Sequence, residues 1–150
     1  MTDEQFSREV DIVRVVVRDL SFETPMGQGV YALDWKPVYS WNMDLRNNRL
    51  ADNLWEVILE ATITATLETN TAFLLEVQQA GVIDVADLEG DRLRRVLAIK
   101  MPKLIFPYLR ETVDNVAVKG GFPPICLRPP DFDALYENAN PPEASSDAGQ

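Results

Sequence analysis

The stretch Leu54–Gln79 constrains this chain more than any other. Taken in twos, Trp55, Val57, Leu59, Ala61, Ile63, Ala65 and Leu67 are apolar. Glu56, Glu60, Thr62, Thr64 and Thr66 alternate with them, and Ile58 is the one exception. This is the period of a strand with one face buried. Phe73, Leu75 and Val77 repeat it against Glu76 and Gln78, with Leu74 out of pattern. Glu68-Thr69-Asn70 lies between the runs as a three-residue hairpin loop, its last residue tolerant of left-handed geometry. Pairing Leu67 with Thr71 then sets Ile63 opposite Leu75, Ala61 opposite Val77 and Thr62 opposite Glu76. Turn length and hydrophobic pattern thus agree on one register, with a dry face and a wet, acidic face.

Two further strands precede the hairpin. Val10–Leu20 is β-branched, with Val13, Val15 and Val17 on one face and Ile12, Arg14, Val16 and Arg18 on the other. Val38–Leu45 sets Tyr39, Trp41, Met43 and Leu45 against Ser40, Asn42 and Asp44, with Pro37 at its start. Beyond Gly81 the period becomes helical. Leu93, Val96 and Leu97 mark a helix over Asp91–Lys100 that ends before Pro102. A second helix has Pro107 in its first turn, the stripe Leu109, Val113 and Val116, and a stop at Gly120-Gly121. Pro123-Pro124 and Pro129-Pro130 bracket an extended Ile125-Cys126-Leu127, and Asp131 caps a short helix carrying Phe132, Leu135 and Tyr136. The expected fold is α+β: a four-stranded antiparallel sheet over roughly 10–20, 38–45, 54–67 and 71–79, with helices packed on one side. One domain over 1–136 precedes an acidic tail, 137–150, disordered by composition.

Composition narrows the chemistry. Twenty-four acidic against 14 basic residues give a net charge of −10. That field opposes nucleic acid and anionic membrane surfaces, and it suits either a basic partner or simple solubility. With no histidine and one cysteine, the chain offers no internal disulfide and no imidazole or multi-thiolate metal site. Cys126 reads as a small packed side chain. A nucleophile would lack its commonest base, and Gly27-Gln28-Gly29 is not followed by the helix a phosphate loop needs. Carboxylate pairs such as Glu56 and Glu60 repeat along a solvent face, where solvated charge explains them better than acid–base work. The acidic start Met1-Thr2-Asp3-Glu4 and the absence of a membrane-length apolar run lead us to expect a cytoplasmic chain. What stands out is apolar excess: Trp35, Tyr39, Trp41 and Met43, a second knot at Ile105, Phe106, Tyr108 and Leu109, and Ile58 and Leu74 on the wet face. Oligomer contacts or a peptide-binding groove would use it.

Several collinear segments resemble the bacterial export chaperone family SecB. They are Asp19-Leu20-Ser21-Phe22-Glu23-Thr24-Pro25, Asp34-Trp35-Lys36-Pro37, Phe73-Leu74-Leu75-Glu76-Val77-Gln78-Gln79 with Gly81, Ile105-Phe106-Pro107-Tyr108-Leu109-Arg110-Glu111, Gly121-Phe122-Pro123 and Asp131-Phe132-Asp133-Ala134-Leu135-Tyr136. The resemblance implies a homotetramer, a dimer of dimers, that binds unfolded precursor proteins without ATP or cofactor. It would deliver them to the translocation ATPase SecA, whose basic, zinc-bearing tail meets an acidic patch. The matching positions are Asp19, Glu23 and Glu76, with Leu74 beside them. The implied client groove includes Trp35, Phe73 and Tyr108, and Tyr39, Trp41 and Met43 at strand positions where the family is aliphatic and smaller. Rival expectations are a SecB-like chaperone dedicated to one client, such as an antitoxin, and an acidic oligomeric scaffold. A carboxylate-based hydrolase is a third class.

Overall fold

The structure, a computed structural model, describes residues 10–141. Strands β1 (Asp11–Glu23), β2 (Val38–Arg49), β3 (Leu54–Leu67) and β4 (Asn70–Asp84) form one antiparallel sheet in the order β1-β4-β3-β2. Helices α1 (Gly90–Arg95), α2 (Met101–Lys119) and α3 (Phe132–Ala139) follow. The expected α+β class holds, and α2 lies on the dry face. There Ile105, Leu109 and Val113 share the core with Ile63, Leu75 and Val77. Gly81, opposite Val57 on that face, lets the helix approach: a Cβ there would stand 2.9 Å from Ile105 Cδ1.

The hairpin register is as expected at Ile63–Leu75, Ala61–Val77 and Thr62–Glu76. Its closure differs. Leu67 pairs with Asn70 and Thr66 with Thr71, so the turn has two residues and a bulge at Ala72 restores the parity. Left-handed geometry falls on Glu68 (φ 54°), not on Asn70.

The first strand departs further. Register shifts flank Val13 and Arg18, so Ile12, Val15, Val17, Leu20 and Phe22 share the dry side while Arg14, Val16, Asp19, Ser21 and Glu23 take the wet one. As an outer strand it leaves Ile12, Val13, Val17 and Leu20 between 43% and 50% exposed. The wet face is drier than expected at β3: Ile58 and Glu56 are buried. Arg18, reaching over the central β4, places one guanidinium nitrogen 2.6 Å from both Glu56 oxygens. On the other flank of Ile58, Glu60 accepts from Arg46 at 3.3 Å and from Gln78 at 3.2 Å.

No break precedes Pro102. Helix α1 runs through a π-helical stretch, Val96–Lys100, straight into α2, which begins at Met101 with Pro102 in its first turn and Pro107 in its interior. The π-helical stretch lies directly before Pro102, whose missing N–H would otherwise cost the continuous helix a bond of its regular ladder. The helix stops as expected. Phe122 N–H donates to Ala117 O at 2.9 Å and Gly121 N–H to Val118 O at 3.0 Å, with Gly121 at φ +88°. This pair of bonds satisfies the last carbonyls and turns Phe122 into the core. Gly121→Ala should cost about 1–3 kcal/mol of stability, since left-handed backbone and a Cβ 2.8 Å from the Tyr31 ring act together. Thermal unfolding at fixed protein concentration measures it, and an unchanged midpoint would refute the close packing.

The segment after α2 is not extended throughout: Cys126 sits at φ 56°, exposed, with its N–H and that of Ile125 donating to Asp114 Oδ1 at 3.0 and 2.9 Å. The cysteine is therefore not a packed side chain. Leu127 beside it is buried instead. Asp131 caps α3 as expected, accepting from Ala134 N–H at 3.0 Å. That helix continues through Ala139, so residues 137–139 belong to the fold rather than to the tail. Of the expected tail, 142–150 lie outside the described residues, as does the acidic start.

Candidate functional site

Five chain segments bring aromatic rings to one end of the dry face. Phe73 of β4 is fully buried at the centre, 4.8 Å from Phe122, 5.7 Å from Phe22, 6.2 Å from Trp35 and 6.3 Å from Tyr39, centroid to centroid. Trp35 lies nearly parallel to Phe73 and 4.9 Å from Phe122. Tyr31 closes the group, 5.7 Å from Phe122, and its hydroxyl donates to Gly120 O at 2.6 Å. Burial raises the Tyr39 phenol above its ordinary pKa, with a hydrogen bond to Trp35 opposing in part, so the group is neutral around pH 7. Phe22, Tyr31 and Phe122 carry no signal in the spacing. Each arrives from a different loop or strand end.

From this cluster an apolar row runs along β2. Tyr39, Trp41, Met43 and Leu45 face the dry side opposite Ala65, Ile63, Ala61 and Leu59. Their small or central partners lie deep, while β2 is an outer strand. Tyr39 and Trp41 consequently stay 37% and 38% exposed. The row ends in a cleft of about 520 Å³ lined by Met43, Leu45, Trp55, Leu97, Phe132 and Leu135. Helix α3 forms one wall and is fastened to α1. The Tyr136 hydroxyl donates to Asp91 Oδ1 at 3.1 Å, Arg95 Nε to Asp91 Oδ2 at 3.0 Å, and the Arg95 guanidinium stacks over the Tyr136 ring at 5.3 Å. Arg95 first and Tyr136 second hold the Asp91 carboxyl below the usual carboxylate range. Lys103 and Asp133 form an ion pair nearby.

Of the six expected client positions, Trp35, Tyr39 and Phe73 come together, and Trp41 and Met43 continue the row. Tyr108 does not join them. It stands on the outer side of α2, 53% exposed, with no ring contact to the cluster. The four expected partner positions do converge. Asp19 pairs with Gln78, Ser21 with Glu76 and Glu23 with Leu74, placing Asp19, Glu23, Leu74 and Glu76 on one patch of the wet face. Arg18 of β1 and Arg46 of β2 are paired with Glu56 and Glu60 of the central strand β3. Among the described residues no ion pair involves Asp19, Glu23 or Glu76.

No group of three or more histidine, cysteine or acidic side chains among the described residues could hold a metal ion, and no described helix is long and apolar enough to cross a membrane. A greasy row on one face and bare carboxylates on the other suit binding of polypeptide, and the comparisons agree. Residues 3–142 match the SecB family, described as preprotein translocase subunit SecB. The chain is 45% identical over 126 residues to the protein-export protein SecB of Hahella chejuensis, covering 84% of this chain and 79% of that one. The corresponding protein of Saccharophagus degradans is 43% identical over 129 residues, covering 85% and 77%. A SecB-like chaperone of Mycobacterium tuberculosis, solved with a ChAD peptide from an antitoxin, shares the fold at a TM-score of 0.64 and 16% identity, over 83% of this chain and 93% of that one. The chain belongs to the SecB family of protein-export chaperones, a chaperone family and not an enzyme class.

Proposed function

We propose that this chain is an ATP-independent holdase of the cytoplasm. It keeps exported precursors unfolded by burying their apolar segments along the β2 row, and it passes them to SecA through the acidic patch. The partly exposed row from Tyr39 to Leu45, running from the aromatic cluster to the cleft beside α3, is the observation that carries this reading. Its length, roughly 20 Å at about 3.3 Å per residue, fits an extended segment of six or seven residues. Each client contact is worth about 25 cal/mol per Å² of apolar surface removed from water, and several rows on one oligomer multiply the effect. Little in such a row selects a sequence, so clients are selected by how long they stay unfolded.

The assembly belongs to the same proposal. Apolar side chains along the outer strand β1, and Leu104, Tyr108 and Val118 exposed on α2, suit a tetramer joined through sheet edges and helices. General export is favoured over one dedicated client because the relatives above 40% identity carry the export name, whereas the antitoxin-bound protein is similar in fold alone. Near-stoichiometric amounts of the purified chain should suppress aggregation of an unfolded precursor diluted from denaturant. Analytical ultracentrifugation should show a tetramer that gains the client's mass. Unabated aggregation, with no co-sedimenting client, would overturn the holdase reading.

A further inference from the structure

The acidic patch depends on an irregularity in β1. Val17 pairs with Gln79 on the dry side and Asp19 with Gln78 on the wet side, so Arg18 is an extra residue in the ladder. Were Arg18 to take a regular paired place, the alternation would send Asp19 and Glu23 to the dry face and Phe22 out of the aromatic cluster. A bulge disrupts the ladder and has to be held by something else. Here it is gripped from both faces. On the wet side the Arg18 guanidinium, crossing β4 above buried Ala80, lies 2.6 Å from both oxygens of Glu56. On the dry side Gln79 Nε2 donates to Val16 O at 3.2 Å, and Gln79 is itself steadied by the Thr112 hydroxyl of α2, donating to Oε1 at 2.9 Å. Gln79 is buried, so this grip is shielded from water.

We infer that Arg18 is a positioning residue for the basic partner: its bridge to Glu56, with the Gln79–Thr112 link opposite, fixes the β1 bulge that turns Asp19 and Glu23 toward Glu76. The inference rests on the acidic patch being the SecA docking surface. Charge and position make opposite predictions, which allows a clean test. Arg18→Gln removes a cation beside the patch, so charge alone would tighten binding to a basic partner. Loss of positioning weakens it.

The measurement is the affinity of the full-length chain for purified SecA, with suppression of precursor aggregation as a second readout. Arg18→Gln should bind SecA roughly three- to tenfold more weakly, the scale on which residues in one network couple. Client capture along β2, on the opposite edge of the sheet, should fall by less than SecA affinity does. Arg18→Lys, and the swap Arg18→Glu with Glu56→Arg, remake the bridge at the parent's net charge and should recover most of the affinity. Parent-like or tighter binding by Arg18→Gln, while Glu76→Lys still weakens it, would overturn the positioning role and leave the docking surface standing. Unchanged binding by Glu76→Lys would remove the docking surface itself. If Arg18→Gln does not fold, Thr112→Val decides: it loosens the same bulge with no change of charge, and parent affinity there would sink the inference.

Discussion

Phe73→Ala should lower the unfolding free energy by about 3–5 kcal/mol, the range for emptying a buried phenylalanine site. A domain of this kind has only about 5–15 kcal/mol in hand. Phe73 is wholly inaccessible and touches four other rings, from β1, the segment before β2, β2 itself and the turn after α2. Those neighbours are fixed by separate pieces of backbone, so they cannot close over the gap together. Denaturant titration at fixed protein concentration measures the loss; a cost under about 1 kcal/mol would mean that the cluster repacks freely. The same burial bears on client binding. A side chain with no exposed surface forms the floor of a groove and does not touch what lies in it. Phe73→Leu leaves a smaller gap than Phe73→Ala and should cost about 1–2 kcal/mol while capturing clients as the parent does. Weakened capture by that variant, with stability retained, would instead make Phe73 a contact.

What could be read from the residues follows the range of the interactions. The hairpin was legible because two runs of period two meet at a short turn, and only one register puts both apolar rows together. Its tip differs by one residue from the expected loop, since a two-residue turn with a bulge at Ala72 gives the same parity as a three-residue loop. The bulge at Arg18 left no trace: Val10–Leu20 is apolar at both parities, so either face would accept either set. Pro102 misled for the opposite reason. Its local preference is strong, yet a π-helical turn absorbs the missing donor while Val96, Leu97 and Ile99 stay buried. The aromatic cluster draws on Phe22, Tyr31, Trp35, Phe73 and Phe122, and periodicity within one element says nothing about encounters across such separations. Only family resemblance points to Asp19, Glu23, Leu74 and Glu76 as a set, and the register of β1 on β4 is what gives the patch a geometry.

Glu76→Lys should weaken binding to SecA by roughly 30-fold at low salt, about 2 kcal/mol, because it replaces attraction by repulsion at the centre of the patch. Glu76 is exposed on β4 between Leu74 and Gln78, next to β1, with Ser21 directly across and Asp19 and Glu23 one pair to either side. A lysine there would face two carboxylates of its own chain, and local ion pairing would also withdraw Asp19 and Glu23 from the partner. The fold should tolerate it. The side chain points into solvent, and an exposed pair contributes no more than about 1 kcal/mol. Salt separates this electrostatic account from a packing one. The screening length falls from about 10 Å at 0.1 M to about 3 Å at 1 M, so the difference between parent and variant should shrink steadily over that range. Most of it should appear in the association rate. Leu74→Ala provides the contrast: its loss of affinity, being apolar, should persist in high salt. A Glu76→Lys effect that stayed constant with salt, or that also abolished client capture, would mean that the substitution disturbs the sheet and that the carboxylate is not what the basic tail meets.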